Sequence, residues 1–246
     1  MNRSIKSLLL VAVLGLSACQ TSPDLPVIGV ERIQWEHVKD NCTGETCPLF
    51  NGDTLVYAKA PLLNQLIESR LAALANPESR FSPSPHLKDI ERAFLQKAEP
   101  NWQNYIQAKE RDRHGSIIVI EFASYLYTGG AHGEPGRGFV NYSTAENRAL
   151  TLNDLILPGQ EERFWQIAER AHRFWLHRHK LDIDNEYMKT WPFQRTEHIA
   201  LLKDRLLLKY DVYAIAPYSS GHPELLLSYD ELTGIIDPRY VPKRAK

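Results

Sequence analysis

The segment Tyr127–Gly133 combines, within seven residues, three glycines, two hydroxyl groups and one imidazole. Glycine adopts positive φ angles and lets another molecule approach the backbone closely. The imidazole of His132 can exchange a hydrogen bond with a carboxylate such as Glu134. A structural turn in which His132 bonds backbone carbonyls is the alternative. A phosphate cradle is not favoured, because no lysine or helix N-terminus follows. The segment predicts a ligand-binding loop, with these contacts: Tyr127, Thr128, Gly129, Gly130, His132 and Gly133.

A second polar segment, Tyr218–His222, contains serine, glycine and histidine. A catalytic serine needs a base within hydrogen-bond reach and a third group that orients the base. Ser220 and His222 could supply the first two groups, with Asp154 or Asp230 as the third. The Gly-x-Ser-x-Gly turn that exposes many nucleophiles is missing from this segment, so we expect loop residues and no catalytic residue. The ligand contacts expected in this segment are Tyr218, Ser219 and Gly221.

The helix expected at 161–179 carries three histidines and two adjacent acids. Neither group predicts a metal site or a catalytic site. His172, His177 and His179 lack the spacing of four that metal-binding pairs on a helix favour, so we expect a solvated basic face. Glu161 and Glu162 open this helix, where its macrodipole favours acids. A glycosidase would instead need two carboxylates facing each other across a cleft. We therefore expect no metal and no cofactor. Four tryptophans can either stack on sugar rings or pack in a core: Trp102, Trp165, Trp175 and Trp191.

The elements that must position these loops follow from hydrophobic periodicity. Residues 117–127 form a β-branched and aromatic run that predicts a buried strand ending at the glycine turn, with 139–143 as its hairpin partner. Residues 199–212 predict a tight hairpin. Strands and helices mixed without βαβ alternation favour an α+β fold with antiparallel sheets and packed helices. The other predicted elements are strands at 27–38, 150–155 and 225–227, and helices at 62–74, 87–97, 161–179 and 229–236.

The N-terminus indicates export. Arg3 and Lys6 precede a short apolar run that is too short to span a membrane, and small residues follow it. The Cys19 that comes next resembles the acylated cysteine of bacterial lipoproteins. We expect a signal peptide at 1–18, a lipid bilayer as partner through acylated Cys19, and a polar tether at 19–26. Gln20 resembles the sorting residue of lipoproteins that face the periplasm from the outer membrane.

The net charge argues against a nucleic-acid-binding protein, and the cysteines are those of an exported protein. Without residues 1–18 the chain has 27 basic and 30 acidic residues, a net charge of about −3 that gives no general attraction to nucleic acid. Cys42 and Cys47 of an exported protein are most simply a disulfide, and Gly44 lets the short loop close. A zinc site with His37 as the nearest further ligand, or free thiols, are the alternatives.

Four segments in order resemble a known family: Tyr125–Gly133, Leu150–Ile156, Tyr213–Gly221 and Leu227–Leu232. They are similar to the C-terminal domain shared by RsiV-type anti-sigma factors and PdaC-type peptidoglycan deacetylases. The resemblance covers most of residues 27–237. It implies a binding role toward a wall glycan or a wall-cleaving enzyme, since the RsiV-type domain binds lysozyme.

The same resemblance sets the expected organisation. We expect two intimate subdomains, a smaller one at 27–101 and a larger RsiV-like one at 102–237. We expect neither a cytoplasmic anti-sigma segment nor a separate deacetylase domain. The leading hypothesis is a non-catalytic envelope protein that binds a peptidoglycan fragment or a muramidase such as lysozyme. The alternatives are a hydrolase or deacetylase that uses His132 with a carboxylate, and an architectural lipoprotein.

Overall fold

The computed structural model describes residues 29–242. The expected signal peptide, the acylated Cys19 and the tether at 19–26 lie outside these residues. Within the described part, every helix is too short or too polar to cross a bilayer.

A six-stranded sheet forms the larger layer, and its strands lie side by side in chain order. Neighbouring strands are antiparallel except for β2 and β3, which run parallel. The expected α+β fold with antiparallel sheets is confirmed, and β2 and β3 are the parallel exception within this sheet. Two helices connect β2 to β3, and such a crossover returns the chain to the same end of the sheet. The strands are β1 (Val30–Val38), β2 (Leu49–Tyr57), β3 (Gln103–His114), β4 (Ile117–Tyr127), β5 (Glu134–Ser143) and β6 (Arg148–Leu150).

Helices α1 (Pro61–Ala75) and α2 (Leu87–Lys97) pack on one face of this sheet. Proline suits the first turn of α1, because its missing N–H would have no helical partner there. Buried side chains at Leu63, Ile67 and Leu71 recur every four residues and face the strands. The apolar residues that recur at helical spacing within 62–74 therefore form the face of α1 that is buried against the sheet.

A smaller antiparallel sheet and three further helices form the second body. Its strands are β7 (Ile199–Leu201), β8 (Arg205–Lys209) and β9 (Glu224–Ser228), and its helices are α3 (Leu152–Leu155), α4 (Glu161–Arg178) and α5 (Asn185–Thr190). The strand expected at 150–155 ends at Leu150, because Thr151 and Asp154 cap α3 reciprocally. The helix expected at 229–236 is a series of turns, and Gly234 there has a positive φ of 73° that interrupts a right-handed helix.

Two hydrophobic clusters hold the molecule together. One lies between the helices α1 and α2 and the six-stranded sheet, and the other lies around the three-stranded sheet and α4. Strand β4 contributes to both, since Ile118 and Ile120 belong to the first cluster and Ile117 and Val119 to the second. The six-stranded sheet takes strands from both sides of residue 101, and the division at that residue remains a prediction.

Cys42 and Cys47 form a disulfide, as predicted, in the connection between β1 and β2. Their Cα atoms are 5.7 Å apart, a separation that disulfides commonly adopt. The backbone N–H of Lys39 donates to the carbonyl of Pro48, 3.1 Å away, which closes the same connection.

His172 makes the stability of the fold depend on pH. It is 3% exposed in α4, contrary to the solvated face expected there, and among the described residues its Nε2 has no hydrogen-bond partner. Burial lowers its pKa, Glu169 opposes this and Arg173 adds to it. The unfolded chain therefore takes up the proton first, at about pH 6.5. Stability should be fully present above that pH and fall below it, by at most about 1.4 kcal/mol per pH unit for this histidine.

Urea unfolding between pH 7 and pH 5 tests this expectation. His172→Phe keeps a ring beside Trp175 and Phe193 and removes the titrating group, so its stability should fall less steeply with decreasing pH. His86→Gln, an exposed histidine, should keep the original slope. Identical slopes for His172→Phe and the unmodified protein would contradict the assignment.

Candidate functional site

The two loops predicted to bind a ligand are in direct contact. The first connects β4 to β5, and the second contains the single helical turn Tyr218–Ser220. The hydroxyl of Tyr218 donates to the carbonyl oxygen of Gly133 at 3.2 Å. The ring of Tyr218 stacks on the imidazole of His132, with centroids 4.1 Å apart and planes inclined by 25°. Residues far apart in the sequence are thus joined into one surface.

The glycines of the first loop are required by its backbone. Gly129 and Gly130 have φ angles of 99° and 94°, which residues with a Cβ rarely adopt. The hydroxyl of Tyr127 donates to the carbonyl of Gly130 at 3.1 Å. A Cβ at Gly133 would lie 2.5 Å from the ring of Tyr125, whose hydroxyl accepts a hydrogen bond from the Gly133 N–H at 3.1 Å. The loop is therefore held in a single shape by two strand tyrosines.

Four rings follow one another across this surface, which we call the aromatic surface: His132, Tyr218, Tyr213 and Trp191. The centroids of Tyr218 and Tyr213 are 5.7 Å apart, and those of Tyr213 and Trp191 are 6.4 Å apart. Tyr213 is 53% exposed, a large fraction for an aromatic side chain. Its φ angle of 65° lies in the left-handed region that bulky residues avoid. Residues with strained backbone angles are found more often at functional sites, where the surrounding structure holds them in that conformation.

Both ring nitrogens of His132 have polar neighbours. Its Nδ1 lies 3.0 Å from the carbonyl oxygen of Gly133, which can only accept, so Nδ1 is the donor. Its Nε2 lies 3.5 Å from the hydroxyl of Tyr213. Glu134 does not bind His132 but forms a two-pronged ion pair with Arg80 at 2.9 and 3.1 Å. A partnership of His132 with that neighbouring carboxylate, as the sequence suggested, is therefore absent from the structure.

The hypothetical serine triad is not assembled. The Nδ1 of His222 bonds the carbonyl of Tyr210 at 3.0 Å and lies 3.9 Å from Asp211. Burial lowers the pKa of His222. Asp154 is committed to Thr151 and Arg148. Ser220 is exposed and makes no hydrogen bond to His222 in the described structure.

Two concave regions lie elsewhere on the described structure, and neither is lined by a ring of the aromatic surface. A cleft of about 770 Å³ lies between α1, β5 and α4, and its lining residues include Arg70, Arg137, Arg195 and His198. A groove of about 830 Å³, which we call the β1 groove, lies between β1 and α2 beside Trp35 and Leu95. Among residues 29–242, no three His, Cys, Asp or Glu side chains converge as metal ligands would.

The structure positions the remaining predicted contacts at the edges of the aromatic surface. Thr128 is half-buried in the turn and Ser219 is exposed. Gly221 has a φ of 64° and a ψ of −135°, a conformation confined essentially to glycine. Tyr213 is not among the ligand contacts expected from the sequence, and the sequence does not connect Trp191 to this region. A ligand-binding role for these residues remains a prediction.

The comparisons with known proteins agree with this fold. A family model described as a protein of unknown function, DUF3298, matches residues 153–230. A crystal structure of a DUF3298 family protein from Pseudomonas aeruginosa PAO1 is 48% identical, with a TM-score of 0.83, and the match covers 88% of this chain and 98% of that one. A second member, from Bacteroides fragilis NCTC 9343, is 17% identical with a TM-score of 0.68, over 86% and 94% of the two chains, and shows the shared fold.

A curated relative links the chain to the predicted family. The peptidoglycan-N-acetylmuramic acid deacetylase PdaC from Bacillus subtilis (strain 168) is 22% identical over 200 residues. The match covers 78% of this chain but only 41% of PdaC. The predicted resemblance to PdaC-type domains is confirmed, and the α+β fold is shared with the solved structures. From the 48% identity over nearly all of the Pseudomonas protein, the chain belongs to the DUF3298 family.

Proposed function

We propose that the protein is an envelope protein that binds a peptidoglycan glycan without transforming it. The observation that carries this proposal is the aromatic surface, in which four rings follow one another and three of them lie in the two glycine-containing loops. The apolar face of a sugar ring packs on aromatic rings, while nearby polar groups orient its hydroxyl and amide groups. Such a surface can bind a sugar chain, and binding requires neither a catalytic nucleophile nor a catalytic base.

The relative PdaC supports the substrate class by its name, which describes a peptidoglycan deacetylase. This chain spans less than half of PdaC, so the deacetylase activity itself is not part of the proposal. The protonated Nδ1 of His132 is bonded to a carbonyl, and Glu134 is bonded to Arg80. Neither group is arranged as a general base paired with a carboxylate.

We also propose that the protein is exported and anchored by acylated Cys19 to the outer membrane, facing the periplasm. The support is the sequence of the first 20 residues, with a short apolar run and small residues before Cys19. Peptidoglycan would then lie within reach of a tethered domain.

Sedimentation with purified insoluble peptidoglycan tests the proposal. The protein should co-sediment with the peptidoglycan, and soluble N-acetylated glycan fragments should compete. Wall substrates incubated with the protein should release neither acetate nor sugar. If they do, and His132→Ala abolishes the release, the protein is an enzyme and the proposal is wrong. Capture of lysozyme without binding to peptidoglycan would equally contradict it and favour a muramidase as partner.

A further inference from the structure

The face of the six-stranded sheet that points away from α1 and α2 is only partly covered. Along β4, Ile118, Ile120 and Phe122 pack toward the helices. The alternate residues Ile117 and Val119 pack into the second hydrophobic cluster. Farther along the same strand, the residues of this second face are half-buried instead, namely Ala123, Tyr125 and Tyr127. The second body thus covers one end of this face and leaves the other end accessible.

Neighbouring strands extend this accessible region, which we call the open face. Tyr105 on β3 lies directly opposite Tyr125, and Gln107 lies opposite Ala123. Residues opposite each other on paired strands share a face. Asn51 on β2 is in register with Tyr105. The open face therefore carries tyrosine rings and amide groups, a combination that suits polar ring-shaped ligands.

The open face is continuous with the aromatic surface. The hydroxyl of Tyr125 accepts the Gly133 N–H, and the carbonyl of Gly133 accepts the hydroxyl of Tyr218. One residue, Gly133, therefore joins the tyrosines of the sheet to the rings of the loops. A chain of several sugar units can contact both regions.

Arg137 places on the open face a guanidinium that has no ion pair among the described residues, while its backbone N–H lies at the carboxylate of Asp211. It lies opposite Ala123, and its Nη1 donates to the carbonyls of Ser124 at 3.3 Å and Gly136 at 2.7 Å. No carboxylate of residues 29–242 lies within ion-pair distance of its guanidinium. Arg32, by contrast, is paired with Asp53 at 2.6 Å. The Nε and Nη2 of Arg137 remain as donors, and a guanidinium fork fits a carboxylate.

The charge of Arg137 influences the pKa of Tyr105 and of His222. Burial raises the pKa of Tyr105, Asp53 adds to the rise, and the charges of Arg32 and Arg137 oppose it. Burial lowers the pKa of His222, and Arg137 lowers it further. A half-buried guanidinium without an ion pair would gain energy from an anionic ligand group.

We propose that the open face is a subsite for a carboxylate-bearing sugar, with Arg137 binding the carboxylate and Tyr105 and Tyr125 contacting the ring. N-acetylmuramic acid whose stem peptide has been removed carries a free lactyl carboxylate, and it is the unit of the peptidoglycan glycan with this chemistry. The inference rests on the proposed function, because it assigns one sugar of the glycan to one part of the surface.

Calorimetric titration with two disaccharides tests the subsite. N-acetylglucosaminyl-N-acetylmuramic acid has the carboxylate, and N,N′-diacetylchitobiose has the same acetylated rings without it. The unmodified protein should bind the acidic disaccharide about tenfold more tightly. Arg137→Gln should remove that preference and leave chitobiose binding within about twofold. Arg137→Lys, which keeps the charge but loses the fork, should retain part of the preference.

Arg70→Gln is the matched control, because Arg70 is an exposed arginine that lines the cleft. This variant should keep the full preference, and thermal unfolding should show that all variants are folded. Equal binding of both disaccharides by the unmodified protein would overturn the subsite and leave the proposed function standing. Loss of the preference in Arg70→Gln rather than Arg137→Gln would place the carboxylate at Arg70 and overturn the subsite too. Binding of neither disaccharide would overturn both proposals.

Discussion

Tyr218→Ala is expected to weaken binding to peptidoglycan glycan about 10- to 30-fold, equivalent to about 1.4 to 2 kcal/mol. The substitution removes the ring that stacks on His132 and contacts Tyr213, so it interrupts the aromatic surface at its centre. It also removes the hydroxyl that bonds Gly133. Titration of the variant with soluble N-acetylated glycan fragments measures the loss.

Two companion variants separate ligand contact from loop collapse. Tyr218→Phe keeps the ring and should bind within about threefold of the unmodified protein. Tyr213→Gly removes an exposed ring and at the same time relieves a positive φ. It should weaken binding while leaving the free energy of unfolding unchanged or higher. If Tyr213→Gly binds glycan as tightly as the unmodified protein, this ring takes no part in recognition.

Phe94→Ala is expected to lower the free energy of unfolding by about 3 to 5 kcal/mol. The Phe94 side chain is completely buried, and its ring contacts Phe50 and Phe81 at centroid distances of 6.0 and 5.2 Å. Truncation leaves a cavity between α2 and the sheet that close packing cannot fill. Urea unfolding measures the change.

Phe174→Ala provides the control for this stability prediction. Phe174 lies on α4 and is 62% exposed, so the same chemical change should cost less than about 1 kcal/mol. Equal losses in the two variants would mean that the first hydrophobic cluster is not packed as described.

Strongly patterned segments could be predicted from the sequence with accurate bounds. The helix at 87–97 and the strand at 117–127 were predicted with the limits that the structure shows. Strand β2 received no prediction because Asn51, Gly52 and Asp53 at its centre are typical turn residues. In the structure a Cβ at Gly52 would lie 2.2 Å from the Trp35 ring, so this glycine permits cross-strand packing. Glycine is required at position 52 because of a contact with a neighbouring strand, and a local sequence pattern cannot show such a contact.

The candidate site was predictable where local chemistry was distinctive. The glycine loop and Tyr218 were chosen because glycine, histidine and tyrosine cluster in the sequence, and the fold brings the two segments together. Trp191 joins them only through Tyr213, from a segment distant in the chain. Arg137 precedes the strand expected at 139–143, and only the observed strand register places it across from Ala123. These contributions depend on tertiary contacts rather than on spacing.

Nuclear magnetic resonance of the protein titrated with N-acetylglucosaminyl-N-acetylmuramic acid tests the central claim most directly. The account predicts saturable shifts concentrated at His132, Tyr213 and Tyr218, and extending to Arg137. Shifts confined to the β1 groove, or no shifts at millimolar disaccharide, would contradict glycan binding at the aromatic surface.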